Sequence, residues 1–298
     1  MKIIQTITSK TKQLRFRSLL GLLPMLLLLL AGNVQAQLAI KYPLAINPLG
    51  VYSSISGTGT AQPALLADDA SALITGLSPA FVVNGVPYTK AKFNSNGWIM
   101  LYTATAPGTN GLYGTALSAS TANAAVIIAP FNADQNGVNT GSAAYTQTIG
   151  NEHIFEWKDF RRYGSAVGTE FLNYQVRLNT ATGAIQFVYG NCTQGVSTSN
   201  VSVGWKTNGT VAGNWATDIN NLQVNVTGSN AGCTWANAVT NNTNTAQMYY
   251  NAANPSVKPN NGLTFTWAPQ ANPDPVRTFG AVTGITGTSA NISWTAAS

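Results

Sequence analysis

The sequence predicts an all-β chain. It reads as an antiparallel β-sandwich of about ten strands, then a Pro-rich linker and the opening strands of a second, incomplete module. Three observations carry this. Only 8% of the 298 residues are charged, whereas helices on a wet surface carry many Lys and Glu. Glycine is abundant, with Asn, Thr and Ser beside it, and these residues favour turns and strand edges. Apolar residues recur at alternate positions in segment after segment, the period of a half-buried strand.

The clearest segment runs from Glu152 to Gly190. Phe155 and Trp157 alternate in EHIFEWKDF. After the polar break RRYGSAVGT, Tyr174, Val176 and Leu178 alternate with polar neighbours. The turn TATG follows, and Ile185, Phe187 and Tyr189 continue the pattern. This is a hairpin with one apolar and one wet face, and Gly183 supplies the backbone angle a tight turn needs.

From the start of the chain, residues 1–36 read as a targeting segment. Basic residues (Lys2, Lys10, Lys12, Arg15, Arg17) precede the apolar run SLLGLLPMLLLLLAG, and VQA places small residues before Gln37. That is a secretory signal peptide cleaved near Ala36. The run is about 14 residues long, against the ~20 that a spanning helix needs. The expectation is a mature chain that is secreted or surface-bound, with no membrane span. The formal charge of +6 belongs mostly to this segment. Beyond it, ten basic residues face nine acids, which leaves no basic stripe for nucleic acid.

The sandwich is expected over residues 37–268. Pro43 and Pro48 suit an edge strand or a loop. FVV and VPYTKAKF form a hairpin about Asn84-Gly85, and Asn96-Gly97 marks a second turn. WIMLY is apolar on both faces, hence central and buried. Residues 104–125 read as a long loop, and AVIIAPFNADQNG as a buried strand ending in an acidic loop. NVSVGWKTNG, NNLQVNVTG and GLTFTWAP supply further strands, with an Asn- and Thr-rich surface loop expected over 232–254. A Pro-rich linker (269–275) then leads to strands near Phe279 and Trp294 in residues 276–298. Two strands bury no core alone, so a longer protein is expected.

KFNSNGWIMLY, AVIIAPFNAD and FEWKDF…NYQVRLNTATGAIQFVYG, in this order, resemble the nidogen-type extracellular domain. They are closer still to the form found in secreted and surface proteins of Bacteroidota, in which an ADD segment like Ala67-Asp68-Asp69 precedes a strand like PAFVVNGVPYT. The resemblance covers roughly Tyr52 to Trp267. It departs at Asn132, where the family carries an aromatic, and this puts a binding surface there in doubt. Residues 276–298, with Trp294 in TSANISW, resemble the start of a fibronectin type III domain.

Candidate chemistry is sparse. Cys192 and Cys233 form a disulfide in an oxidising compartment, closing a loop of ~40 residues worth roughly 3–4 kcal/mol from chain entropy; the alternative is two unrelated buried thiols. The single histidine, His153, reads as a surface strand residue. Asp68, Asp69 and Asp134 lie in loops and suit Ca²⁺, a hard ion that takes oxygen ligands; the alternative is Asx-turn capping. Trp215, Trp235, Tyr249 and Tyr250 lie in turn-rich segments and suit stacking on a sugar or a protein partner; the alternative is that they cap the core. Asn-x-Ser/Thr matches such as those at Asn191, Asn200, Asn208, Asn225 and Asn241 are set aside as chance in an Asn-rich chain.

No catalytic motif is present. The expectation is therefore a non-catalytic extracellular adhesion or interaction module at the front of a larger protein, binding an extracellular protein or glycan and needing no cofactor beyond a possible Ca²⁺. The alternatives are a carbohydrate-binding accessory domain of a secreted hydrolase and, more remotely, a Ca²⁺-assisted hydrolase.

Overall fold

The computed structural model describes residues 42–83, 85–106, 126–193, 198–207, 222–225, 234–241, 248–251, 257–270, 278–279 and 294–295. The strands are β1 (Leu44–Asn47), β2 (Thr60–Ala61), β3 (Ser71–Thr75), β4 (Phe81–Val83), β5 (Val86–Tyr88), β6 (Lys90–Asn94), β7 (Trp98–Tyr102), β8 (Val126–Asn132), β9 (Gln135–Asn136) and β10 (Ala143–Ile149). They continue with β11 (Glu152–Arg162), β12 (Leu172–Asn179), β13 (Ile185–Tyr189), β14 (Thr198–Thr207), β15 (Leu222–Asn225), β16 (Val239–Asn241), β17 (Met248–Asn251), β18 (Thr264–Trp267), β19 (Thr278–Phe279) and β20 (Trp294–Thr295). Only two short 3₁₀ turns, Pro63–Leu66 and Trp235–Asn237, interrupt this pattern among the described residues.

Two antiparallel eight-stranded sheets form the sandwich. The first runs β1-β18-β13-β12-β11-β10-β2, with β9 also paired to β11. The second runs β16-β15-β14-β8-β7-β6-β3, with β17 also paired to β14. The all-β sandwich expected from the sequence is thus present, with more strands than the ten that alternation marks. The extra ones are mostly short edge pieces of two to four residues, too brief for a period to register.

The Glu152–Gly190 hairpin is the centre of the first sheet. Phe155, Trp157, Tyr174, Val176, Leu178, Ile185, Phe187 and Tyr189 all point into the core, and Gly183 has the positive φ its turn requires. Trp157 and Phe160 are both fully buried, although three positions apart. A bulge between them resets the alternation. Asp159 occupies it with φ +54°. Asn173 holds it there, its Oδ1 accepting the Asp159 N–H and its Nδ2 donating to Asp159 Oδ1, each at 3.1 Å.

Aromatic rings fill the space between the sheets. Phe93 packs edge-on to Trp157 and Phe155, and Phe131 stacks on Tyr174 and Trp235. WIMLY (β7) and β8 are buried along their whole length, as expected for central strands. A second buried feature is ionic: Arg162 donates to Glu170 from Nε and Nη2 at 2.8 Å, and Ser165 Oγ donates to the same carboxylate.

The outer face of the first sheet is not uniformly wet. Residues 48–59 leave β1 at one edge and reach β2 at the other, crossing the sheet as a strap. Glu156 Oε2 accepts the Ile55 N–H at 2.9 Å, Tyr52 donates its hydroxyl to Glu156 Oε1, and Gln175 Nε2 donates to the Ser53 carbonyl at 2.8 Å. Glu156 and Gln175 are therefore fully buried on the face that alternation marks as polar. Burial, and then the Glu156 charge, push the Tyr52 phenol far above its ordinary range.

The expectation of a surface loop over 232–254 is corrected. That stretch contains a 3₁₀ turn with Trp235 in the core, the edge strand β16, and β17 paired to β14. The expected loop at 104–125 lies mostly outside the described residues. Beyond the sandwich, β19 and β20 pair antiparallel, Phe279 opposite Trp294.

Candidate metal centre

The sharpest chemical feature is an acidic cluster at one end of the sandwich. Asp68 and Asp69 lie between the Pro63–Leu66 turn and β3, and Asp134 lies in the bend between β8 and β9. One carboxylate oxygen from each falls within 4.8 Å of the others. Sequence reasoning named these three residues as a possible set of oxygen ligands, and the fold brings them together.

Their support is a buried network centred on Asn96. Asp69 takes a left-handed backbone (φ +51°), and its Oδ1 accepts Asn96 Nδ2–H at 2.8 Å. This carboxylate is thus held by a side chain from another loop and not by a backbone N–H of its own turn. Asn96 Oδ1 in turn accepts the Gln135 N–H at 2.8 Å. Gln135 donates from Nε2 to the Phe131 carbonyl and accepts the Tyr174 hydroxyl at 2.7 Å. Two acid-bearing loops are therefore tied through Asn96 and Gln135 to the core. Gly97 completes the turn: its φ is +76°, and a Cβ there would lie 2.1 Å from the Phe131 carbonyl oxygen. The Gly137 N–H donates to the Leu66 carbonyl, which pins the two loops a second time.

The electrostatics match the geometry. Partial burial, then the charges of Asp68 and Asp69, and then a hydrogen bond that the protonated Asp134 donates to Asp68, push the Asp134 carboxyl up to about 6. Like charges this close favour a shared proton or a cation. An all-oxygen donor set suits a hard divalent ion, and three carboxylates leave further Ca²⁺ positions to carbonyls or water. Sequence reasoning did not find Asn96 and Gln135. The available signal was the Asn96-Gly97 turn, read only as a hairpin.

Other candidates fall differently. His153 is not a surface histidine: it is buried on β11, bonded through Nε2 to the Pro79 carbonyl (2.7 Å) and through Nδ1 to Thr148 Oγ1 (2.8 Å). Trp235 and Tyr250 are not available for stacking on a ligand, since both are fully buried against Phe131. Aromatic area this large gains more from the core than from water. Tyr249 lies on β17 with its side chain outside the described residues, and Trp215 lies outside them altogether. Asn132, where the family has an aromatic, is buried at the end of β8. Cys192 is buried with its sulfur 3.6 Å from the Asn173 carbonyl oxygen, and Cys233 lies outside the described residues.

Fold and cluster together define an all-β sandwich module with an acidic end built from loops. The family model described as NIDO related matches residues 45–269, and the chain belongs to this nidogen-related family. No curated protein and no solved structure matches the chain. Among the described residues no helix is long and apolar enough to cross a membrane.

Proposed function

We propose that the chain is a non-catalytic extracellular adhesion or interaction module of a larger secreted or cell-surface protein, of the kind found in Bacteroidota. The nidogen-related match over residues 45–269 carries this reading. The buried groups suited to acid–base chemistry also support it, because each is engaged structurally: Glu156 with the strap, Glu170 with Arg162, and His153 with Pro79 and Thr148. The pairing of β19 with β20 is consistent with the first strands of a fibronectin type III domain after the linker. On this reading residues 1–36 direct secretion, and Cys192 and Cys233 pair outside the cell. Trp235, two residues beyond Cys233, packs on Tyr189, three residues before Cys192, which supports the pairing. Ca²⁺ at Asp68, Asp69 and Asp134 would stiffen the loops of the acidic end.

The test is binding of the full chain to arrays of extracellular-matrix proteins and glycans, with Ca²⁺ and with chelator. Saturable binding without turnover is the expected result. Turnover of a bound glycan or peptide, or failure to bind on both arrays, would overturn the reading.

A further inference from the structure

A corner of the sandwich has its polarity reversed. In β10 the direct cross-strand partners of Thr146 and Thr148 are Phe155 and His153, both buried. Partners directly opposite share a face, so the two threonines point to the inner side of the sheet. Ile149, of opposite parity, is 52% exposed. Along this inner parity Ala144 is buried, Thr146 half-buried and Thr148 exposed, so the interior opens to solvent here through two hydroxyls while Ile149 faces outward, a break in the sandwich pattern of the kind that concentrates at functional sites.

The sheets leave a cleft there of about 160 Å³, between the β3 edge of one sheet and the β10 edge of the other. Ile74, Leu77 and Phe155 give it apolar surface, and Thr146, Thr148 and His153 give it polar groups. Among the described residues its lining contains no Asp, Glu, Lys or Arg.

The hydrogen bonds fix what each threonine offers. The Pro79 carbonyl only accepts, so a neutral His153 carries its proton on Nε2, and Nδ1 accepts the Thr148 hydroxyl proton. Thr148 Oγ1 then presents lone pairs. Thr146 Oγ1 accepts Gln62 Nε2–H at 3.1 Å, which leaves its own O–H to donate. An acceptor and a donor thus lie close together over an apolar floor. Sugar rings have that complementarity: hydroxyls that both donate and accept, on a ring with an apolar C–H face.

We propose that this cleft binds one neutral sugar ring, with Thr146 and Thr148 contacting its hydroxyls and His153 acting as a positioning residue for Thr148. This rests on the interaction-module reading and narrows the ligand to an uncharged glycan. It also relocates the sugar contact from Trp235 and Tyr250, which the core consumes.

The experiment is an NMR titration of the full ¹⁵N-labelled chain with methyl glucoside, methyl galactoside and N-acetylglucosamine. At least one should give saturable shifts concentrated at residues 74–77 and 146–148. Thr148→Val should weaken that binding about tenfold, the order expected for one lost hydrogen bond, and Thr146→Val should do likewise. Both changes conserve volume but each removes one hydrogen bond, to His153 or from Gln62, so a modestly lowered melting temperature with unchanged amide shifts outside the cleft would verify the fold. Shifts elsewhere, or shifts unaltered in both variants, would overturn the proposal. Matrix-protein binding with no response to any of the three sugars would overturn it too, while leaving the module reading intact.

Discussion

Asp134 faces two other carboxylates, and this has a thermodynamic sign. Its carboxyl is raised from 3.8 to about 6, so the native state holds that proton more tightly than the unfolded chain does. Stability contributed at this site therefore falls as pH rises through that window, and the cost is fully present above it. In chelator, Asp134→Asn should raise the melting temperature at about pH 7 and leave it nearly unchanged at about pH 4, where the native carboxyl is already neutral. Thermal unfolding at both pH values checks this; an equal shift at both would mean that repulsion at Asp134 is not the cause. The buried Arg162–Glu170 pair predicts the opposite kind of effect. Glu170→Gln removes the carboxylate charge that Arg162 pairs with in the interior and should cost about 3–5 kcal/mol in denaturant unfolding, the range for breaking a buried pair. Replacing both residues with apolar ones should recover much of that loss.

At the scale of elements, the strap over residues 48–59 is fastened to the first sheet by few contacts, most of them on Glu156 and Gln175. Tyr52→Phe removes one hydrogen bond to a buried carboxylate, worth about 1.5–3 kcal/mol, without changing shape. Hydrogen exchange should then speed up at Ile55 and its neighbours while the β11–β12 amides keep their protection. Uniform acceleration across both would show that the strap opens only with the whole fold. The strap also shows what the sequence reveals and what it hides. The β11–β13 hairpin was legible because the identities of Phe155, Trp157, Tyr174 and Phe187 repeat the strand period. The burial of Glu156 was not, because it comes from a chain crossing about a hundred residues away in sequence, and no local period encodes such a contact. The β16–β17 region reads as a loop for a related reason: the stretch around it is rich in Asn and Thr, each strand is only three or four residues long, and pairing with β15 and β14 is what makes them strands. Of the acidic cluster, the ligand types could be read from the sequence. The Asn96–Gln135 network that holds them could not, since it depends on turns meeting in space.

At the scale of the whole molecule, the acidic cluster joins parts of both sheets. Asp68 and Asp69 lead into β3 and Asn96 lies in the β6–β7 turn, all of the second sheet, whereas Gln135 opens β9, which pairs with β11 of the first. A cation held by Asp68, Asp69 and Asp134 would draw these loops together in the native state and find no such arrangement in the unfolded chain. Binding to the native state alone stabilises it by about 2.7 kcal/mol when the ion is at 100 times its dissociation constant. Ca²⁺ should accordingly raise the melting temperature of the full chain in a concentration-dependent way. Mg²⁺ should do less, because it demands a tighter octahedron and sheds water reluctantly. Asp134→Asn should abolish the Ca²⁺ response even though it stabilises the metal-free protein, so the ranking of the two proteins should narrow or invert as Ca²⁺ is added. Calorimetry of both proteins across a Ca²⁺ series reads this directly. Parallel behaviour at every concentration would place any Ca²⁺ effect elsewhere and leave the cluster as three carboxylates sharing a proton.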